Sequence, residues 1–223
     1  MLEAIEIYKH FKKKEILKGV SFKAGPGTCV GIAGGNGCGK TTLLSILAGV
    51  TKPDAGKILL DGQDIIGRRT VFEREVAYVP QENPIIPELT ARDNFTLWYK
   101  GNRTSMAEDL RSGVAQTLGL PEFLNTPAGK LSGGQKKRLS IASALSNHAS
   151  LLILDEPGAA LDLEAKEMII IYLKNYLKQG GTVILTSHEM GELDLCDELF
   201  ILKDGVPVSI PVGLPAEELI QRF

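Results

Sequence analysis

The stretch Cys29-Val-Gly-Ile-Ala-Gly34-Gly-Asn-Gly-Cys-Gly-Lys40-Thr41-Thr42-Leu-Leu-Ser-Ile-Leu-Ala48 decides the fold. Cys29 to Ala33 reads as a short buried strand, a glycine-rich turn follows, and from Lys40 the apolar residues Leu43, Leu44, Ile46 and Leu47 recur at helical spacing. Gly34 to Thr41 fits the spacing G-x-x-x-x-G-K-S/T in the strand-then-helix context that its physics needs. Glycines let the backbone curl so that successive N–H groups converge on an anion, and the opening helix adds unsatisfied N–H groups and the positive end of its dipole. Gly34, Gly35, Asn36, Gly37, Cys38 and Gly39 are therefore candidates to cradle phosphate oxygens, with Lys40 bridging the outer phosphates and Thr42 adding a hydroxyl bond. The Thr41 hydroxyl suits magnesium, a hard ion that takes oxygen ligands. A glycine turn with a surface lysine would match the same spacing by chance on the order of once in a hundred chains of this size.

Outward from this stretch, Leu151-Leu-Ile-Leu-Asp155-Glu156 is an all-apolar run that ends in two acids. Adjacent carboxylates beside a dry core repel each other and need partners, and a metal ion is one such partner. Asp155 is then a candidate metal ligand, and Glu156 a candidate base for a water attacking the outer phosphate. Thr182 to Leu185 is another core strand, and Thr186-Ser187-His188 at its end brings His188 to the same edge as the two earlier loops, where open α/β sheets bind ligands. Between these strands Ala165, Met168, Ile169, Tyr172, Leu173, Tyr176 and Leu177 trace one helix face that Gly180-Gly181 terminates. The expectation is a parallel α/β sheet covered by helices. Asp61-Gly62 and Asp204-Gly205 read as hairpin turns, so an antiparallel portion accompanies it. From about 85 to 145 the chain is polar and helix-prone, punctuated by Gly101-Asn102 and Gly119-Leu-Pro121, and reads as a helical insertion within one domain spanning 1–223. The tail 216–223 reads as a short helix.

Composition narrows the class. The chain has 223 residues, 43% hydrophobic and 23% charged, the balance of a folded globular protein. A formal net charge of −2 gives no bulk attraction to nucleic acid, so a nucleic-acid partner is not expected. Three scattered cysteines, Cys29, Cys38 and Cys196, suit a reducing setting rather than a disulfide framework. The opening Met-Leu-Glu-Ala-Ile-Glu lacks a secretory pattern, and no apolar run approaches the roughly 20 residues of a membrane helix. If a membrane is involved, another polypeptide supplies the span.

Leu131-Ser132-Gly133-Gly134-Gln135 precedes a helix with an apolar stripe at Leu139, Ala142 and Leu145. The pentapeptide suits a capped helix start, and it also makes a second phosphate-ready helix terminus. Two anion sites and one nucleotide per chain suggest a site shared between two copies. At this point the sequence resembles the ATP-binding cassette ATPases, over about Glu3 to Gly205 and with the motifs in family order. Gly34 to Thr41 resembles the Walker A motif and Gln81 in Ala77-Tyr-Val-Pro-Gln81 the Q-loop glutamine. Leu131 to Gln135 resembles the signature motif, Leu151 to Glu156 Walker B, Asp162 in Ala160-Leu-Asp162 the D-loop, and His188 the switch histidine.

The resemblance implies a P-loop NTPase fold with a RecA-like core, Mg2+-dependent ATP hydrolysis with Glu156, His188 and Gln81 at the reacting end, and Thr41, Gln81 and Asp155 around the metal. It implies an aromatic residue stacked on adenine, at Phe11 or, second, Tyr8; packing in the core is an equally open reading of Phe11. It further implies a head-to-tail dimer of cassettes sandwiching two ATP, an integral membrane permease as partner, and a peripheral place on the cytoplasmic face of the membrane. Glu88-Leu-Thr-Ala-Arg-Asp-Asn-Phe-Thr-Leu-Trp-Tyr-Lys-Gly101 is similar to the matching stretch of ABC-2-type export ATPases, with core packing the simpler expectation for Trp98 and Tyr99. Cys38, Gly35 and Gly158-Ala159 depart from the residues usual in the family, and none of these changes removes a catalytic group. A thiol at Cys38, among N–H groups that open a helix, would be reactive if exposed. The competing reading is a cassette ATPase without transport and with soluble partners, such as the iron–sulfur assembly type; a regulatory module without turnover fits less well because Glu156 and His188 are both present.

Overall fold

The computed structural model describes residues 1–101 and 105–222. Asn102, and Phe223 at the end of the expected tail helix, lie outside the described residues. Strand β1 (Leu2–Phe11) is hairpin-paired with β2 (Lys14–Ala24), and β4 (Ala55–Leu60) and the short β5 (Gln63–Asp64) complete an antiparallel sheet in the order β2-β1-β4-β5. The second sheet contains the parallel strands β3 (Cys29–Ala33), β6 (Val76–Val79), β7 (Leu151–Asp155), β8 (Thr182–Thr186) and β9 (Glu198–Lys203). Strand β10 (Val206–Ile210) runs antiparallel on β9, and the order is β10-β9-β3-β8-β7-β6.

Every residue of β3, β7 and β8 is buried, which is why these strands read as continuous small or apolar runs rather than as alternation. Helix α1 (Lys40–Leu47) follows β3, α2 (Arg69–Glu75) leads into β6, and α7 (Leu163–Lys178) crosses from β7 to β8. Between β6 and β7 lie α3 (Ala91–Trp98), α4 (Met106–Ser112), α5 (Val114–Thr117) and α6 (Gly133–Leu145), the inserted helical subdomain. Short helices α8 (Met190–Leu193) and α9 (Ala216–Gln221) follow β8 and β10.

The two faces of β7 pack into different cores. Leu151 and Ile153 join Ile32, Leu43, Leu44, Leu47 and the antiparallel sheet's Ile7 and Val20, whereas Leu152 and Leu154 join Ile169 and Leu173 of α7 and Phe95 and Leu139 of the helical subdomain. Register then fixes the edge. Asp155 and Ile32 both pair with Thr186, and Val79 pairs with Leu154, so the segments that begin at Gly34, Pro80, Glu156 and Ser187 leave the sheet side by side.

Both Asp-Gly pairs are hairpin turns with positive φ, Asp61 and Gly62 at 49° and 78°, Asp204 and Gly205 at 49° and 81°. The longest hairpin, β1–β2, turns instead on Lys12-Lys13, with Lys12 at φ 55°. Core packing holds for Tyr99 and not for Trp98. Tyr99 packs edge-on against Phe95 at 5.2 Å and its hydroxyl donates to Asp109 at 2.6 Å, while Trp98 is 48% exposed. Trp98 ends α3 on the outer side of that helix, so only the following residue reaches inward.

Phe95 is fully buried in the core that joins the helical subdomain to the sheet. Phe95→Ala is expected to lower unfolding stability by about 3–5 kcal/mol. Chemical denaturation checks the loss, and because α1 packs in the other core, nucleotide binding by the folded fraction should persist.

Candidate active site

The phosphate loop takes its shape from close backbone approaches. Gly34 sits at φ 144°, and a Cβ there would stand 2.6 Å from the Leu202 carbonyl oxygen, so no larger residue fits against β9. Gly39 caps α1 at φ 110°, where a Cβ would meet Ile16 of β2 at 2.9 Å. No side chain caps that helix, so its first N–H groups are left to whatever anion enters the loop. Gly35, Asn36 and Gly37 are exposed at the loop's crest. The Lys40 ammonium is buried and donates to the carbonyl oxygens of Gly34 at 2.7 Å and Gly35 at 3.3 Å, which holds a cation across the loop. Thr41 is exposed beside it, Thr42 half-buried, and Cys38 half-buried against the core that contains α1.

Two acids stand at the end of β7 in different states. Asp155 is 1% exposed; its Oδ1 accepts from the Thr186 hydroxyl at 2.6 Å, and its Oδ2 is buried without a hydrogen-bond partner among the described residues. A buried, half-satisfied carboxylate is costly, and a hard cation supported by the Thr41 hydroxyl is a partner of the right chemistry, so the donor set fits magnesium. Glu156 has φ 47°, rare for a residue with a side chain, and its N–H is held by the Thr186 carbonyl and hydroxyl oxygens, both at 3.1 Å. This turn presents the Glu156 carboxylate away from the core. Gln81 Nε2 donates to Glu156 Oε2 at 2.9 Å, and His188 Nε2 lies 3.5 Å from Glu156 Oε1. Side chains from the ends of three strands, β6, β7 and β8, thus meet on one carboxylate.

Other expected residues lie apart from this cluster. Ser132 and Gln135 engage each other: the Gln135 N–H donates to Ser132 Oγ at 3.2 Å and the Ser132 N–H to Gln135 Oε1 at 3.0 Å. The capped helix start and the anion-ready terminus are therefore the same object, with Gly133 exposed, Gly134 packed against Ala165 and Leu131 buried beneath. Asp162 caps α7 by accepting from the Ala165 N–H at 2.8 Å. Phe11 ends β1 at the hairpin tip, 51% exposed with the Lys9 ammonium 5.4 Å from its ring, so packing in the core is overturned for Phe11. Tyr8 instead leans on Gly19 of β2.

Two buried charges bonded to the loops that carry the site, Lys137 and Glu192, escaped the sequence reading. Lys137, in the second turn of α6, is 2% exposed and donates to the carbonyl oxygens of Pro80 and Gln81, each at 3.2 Å; burial lowers its pKa against the opposing pull of Asp155, Glu192 and Glu156. Glu192 is 2% exposed, accepts from the Ser187 hydroxyl at 2.5 Å, and has its pKa raised by burial. A signal for Lys137 existed in its spacing, four residues before Ile141 and three after Gly134 on the apolar face of the helix. Glu192, in a four-residue helix, had none.

Separate from the phosphate loop, a groove of about 930 Å³ opens between the sheet core and the helical subdomain, lined among others by Val50, Phe72, Ile85 and Trp98. Among the described residues no helix is long and apolar enough to cross a membrane.

Residues 17–159 match the family model described as ABC transporter. The chain is 37% identical over 213 residues to Nod factor export ATP-binding protein I of Rhizobium etli, covering 94% of this chain and 67% of that protein. The counterpart in Burkholderia thailandensis is 37% identical over 207 residues, covering 92% of this chain and 68% of that one. The chain thus spans about two thirds of the length of these relatives. Among solved structures, a dimeric bacterial ABC transporter cassette superposes with a TM-score of 0.82 at 29% identity, covering 93% of this chain and 96% of that one. The same cassette in a post-hydrolysis state bound to ADP and Pi matches equally. An ATP-binding subunit of an ABC transporter superposes at 0.86 with 24% identity, covering all of this chain and 98% of its own, a likeness of fold. The chain belongs to the ABC transporter family, as an ATP-binding and ATP-hydrolysing cassette subunit.

Proposed function

We propose that this cassette powers export through a separate membrane permease, as two chains that close head to tail around two ATP. The observation that carries the catalytic half is the convergence of Gln81 and His188 on the Glu156 carboxylate beside the phosphate loop. In this reading Gly34 to Gly39 and the start of α1 bind the phosphates, Lys40 exchanges its loop carbonyl oxygens for phosphate oxygens, and Phe11 at the hairpin tip stacks on the adenine. Magnesium, held by Thr41, Asp155 and Gln81, neutralises phosphate charge when bound. Glu156 orients the attacking water and takes its proton at a carboxylate oxygen, Gln81 fixes that carboxylate by its 2.9 Å bond, and His188 donates to the outer phosphate. Leu131 to Gln135 faces the ATP of the second copy, and the capped start of α6 keeps Gly133 exposed.

Two features support transport over a cassette with soluble partners. The relatives are named as export ATP-binding proteins. The groove between core and helical subdomain also begins where Gln81 leaves the site, since Pro84 and Ile85 line it, so a helix of a permease seated there would press on the segment that carries Gln81. The helical subdomain, about 85 to 145, supplies one wall. In this reading the chain sits on the cytoplasmic face of the membrane through its permease.

Glu156→Gln is expected to retain ATP binding, lower turnover by about 10²–10⁴-fold and accumulate an ATP-loaded dimer, read by phosphate release and size-exclusion chromatography. Turnover near that of the unaltered protein would remove Glu156 from its role. Val50 is 69% exposed on the groove wall and distant in sequence from the reacting cluster. Val50→Glu is expected to abolish co-purification of a polytopic chain from detergent-solubilised native membranes, with ATPase activity within about twofold of the unaltered protein, because a charge desolvated in an apolar groove is strongly disfavoured. Recovery of soluble partners alone by the unaltered protein would favour the cassette without transport.

A further inference from the structure

Lys137 is a buried cation whose position burial alone does not favour. An ammonium removed from water is costly, and an apolar side chain of equal length would serve packing as well or better. What the lysine does instead is donate to two successive carbonyl oxygens, those of Pro80 and Gln81, across 56 or more residues of sequence. These carbonyls belong to the loop that leaves β6, and the Gln81 side chain is the one bonded to Glu156. The negative field of Asp155, Glu192 and Glu156 offsets part of the cost of burying the charge. At the other end of the same short span, α6 is capped by Ser132, five positions before Lys137, through its reciprocal bonds with Gln135.

We propose that Lys137 is a positioning residue for hydrolysis: its two bonds clamp the Gln81 loop, so that Gln81 stays on Glu156, and lock that loop to the helix whose first turn is the Ser132-Gly133-Gly134-Gln135 motif. The inference deepens the catalytic reading above and rests on it for the role of Glu156. In a head-to-tail pair, α6 of each chain carries at its start the motif that faces the other chain's nucleotide, and at Lys137 the strut to its own chain's Gln81. One rigid helix then ties the nucleotide contacts of one site to the carboxylate geometry of the other, without a further moving part.

The test is Lys137→Met, which keeps length and removes charge and donors, made in the full chain. In nucleotide-free protein, hydrogen exchange of the amides of 81–83 and 85 is expected to rise about tenfold or more, while α1 and β8 keep their protection and the melting temperature does not fall. In steady state, kcat is expected to drop about tenfold or more, with the ATP concentration for half-saturation moving less than about threefold, because the lost contact acts on the reacting carboxylate and not on the phosphate loop. Lys137→Gln, uncharged but still a donor on a shorter stem, is expected to fall between the two in both readouts. Unaltered exchange at these amides in both variants overturns the clamp. So does a uniform rise in exchange with a lowered melting temperature, which would make Lys137 a residue of general stability. Exchange is read without nucleotide, so it decides the clamp even if the unaltered chain shows no turnover, an outcome that would instead sink the catalytic reading itself.

Discussion

Thr186 Oγ is the small group on which the rest of the site depends. Its hydroxyl donates to Asp155 Oδ1, and the same oxygen, with the Thr186 carbonyl, accepts from the N–H of Glu156. One residue at the end of β8 therefore satisfies half of a buried carboxylate and holds the next residue in a left-handed conformation that costs of order 1–3 kcal/mol unless its surroundings impose it. Reversing either interaction would relax Glu156 toward ordinary backbone geometry and turn its carboxylate off the point where Gln81 and His188 meet. The arrangement is possible only because β7 and β8 are adjacent and parallel in a register that sets Asp155 opposite Thr186. A shift of one position would exchange the faces of the strand, moving Leu152 and Leu154 out of the core they share with α7.

Much of this was legible in the sequence, for identifiable reasons. The phosphate loop announces itself because its conformation demands glycine at fixed places, as the contact of Gly34 with the Leu202 carbonyl makes concrete. The strands β3, β7 and β8 announce themselves because both of their faces are buried, and the Asp-Gly hairpins because left-handed turns restrict composition. The β1–β2 hairpin did not, since its turn uses Lys12-Lys13, residues that carry no turn signal and whose conformation the long flanking ladder imposes. Trp98 was misplaced because hydrophobicity alone does not say which of two adjacent aromatics points inward; the helix ends between them, and only Tyr99 meets Phe95. Lys137 was passed over because charge is a strong prior for solvent, and only the loop it meets, 56 residues away in sequence, reverses that prior.

The starts of α1 and α6 differ in how their N–H groups are satisfied. Helix α1 has no capping side chain, so its first N–H groups await a ligand, and the buried Lys40 sits across the loop on carbonyl oxygens that a phosphate can replace. Helix α6 is capped at its start by the reciprocal bonds of Ser132 and Gln135, an arrangement worth about 1 kcal/mol to a helix, and needs no ligand for its stability. The first helix start leaves its N–H groups open, whereas the second satisfies its own.

The segment from Gln81 to Ile85 joins the Glu156 cluster to the groove across a short distance. Gln81 holds the Glu156 carboxylate, its backbone is held by Lys137, and within the next four residues the chain becomes the wall of the groove at Pro84 and Ile85. Ile86 is in turn fixed to the helical subdomain by Asn94, a buried side chain that accepts from its N–H at 2.8 Å and donates to its carbonyl at 2.9 Å. The loop is therefore anchored at both ends, to α6 and Glu156 on one side and to α3 on the other, with the groove surface between the anchors. A body seated in that groove acts on a segment with little slack, and any displacement it causes must pass either into α3 and the helical subdomain or into the bond from Gln81 to the Glu156 carboxylate.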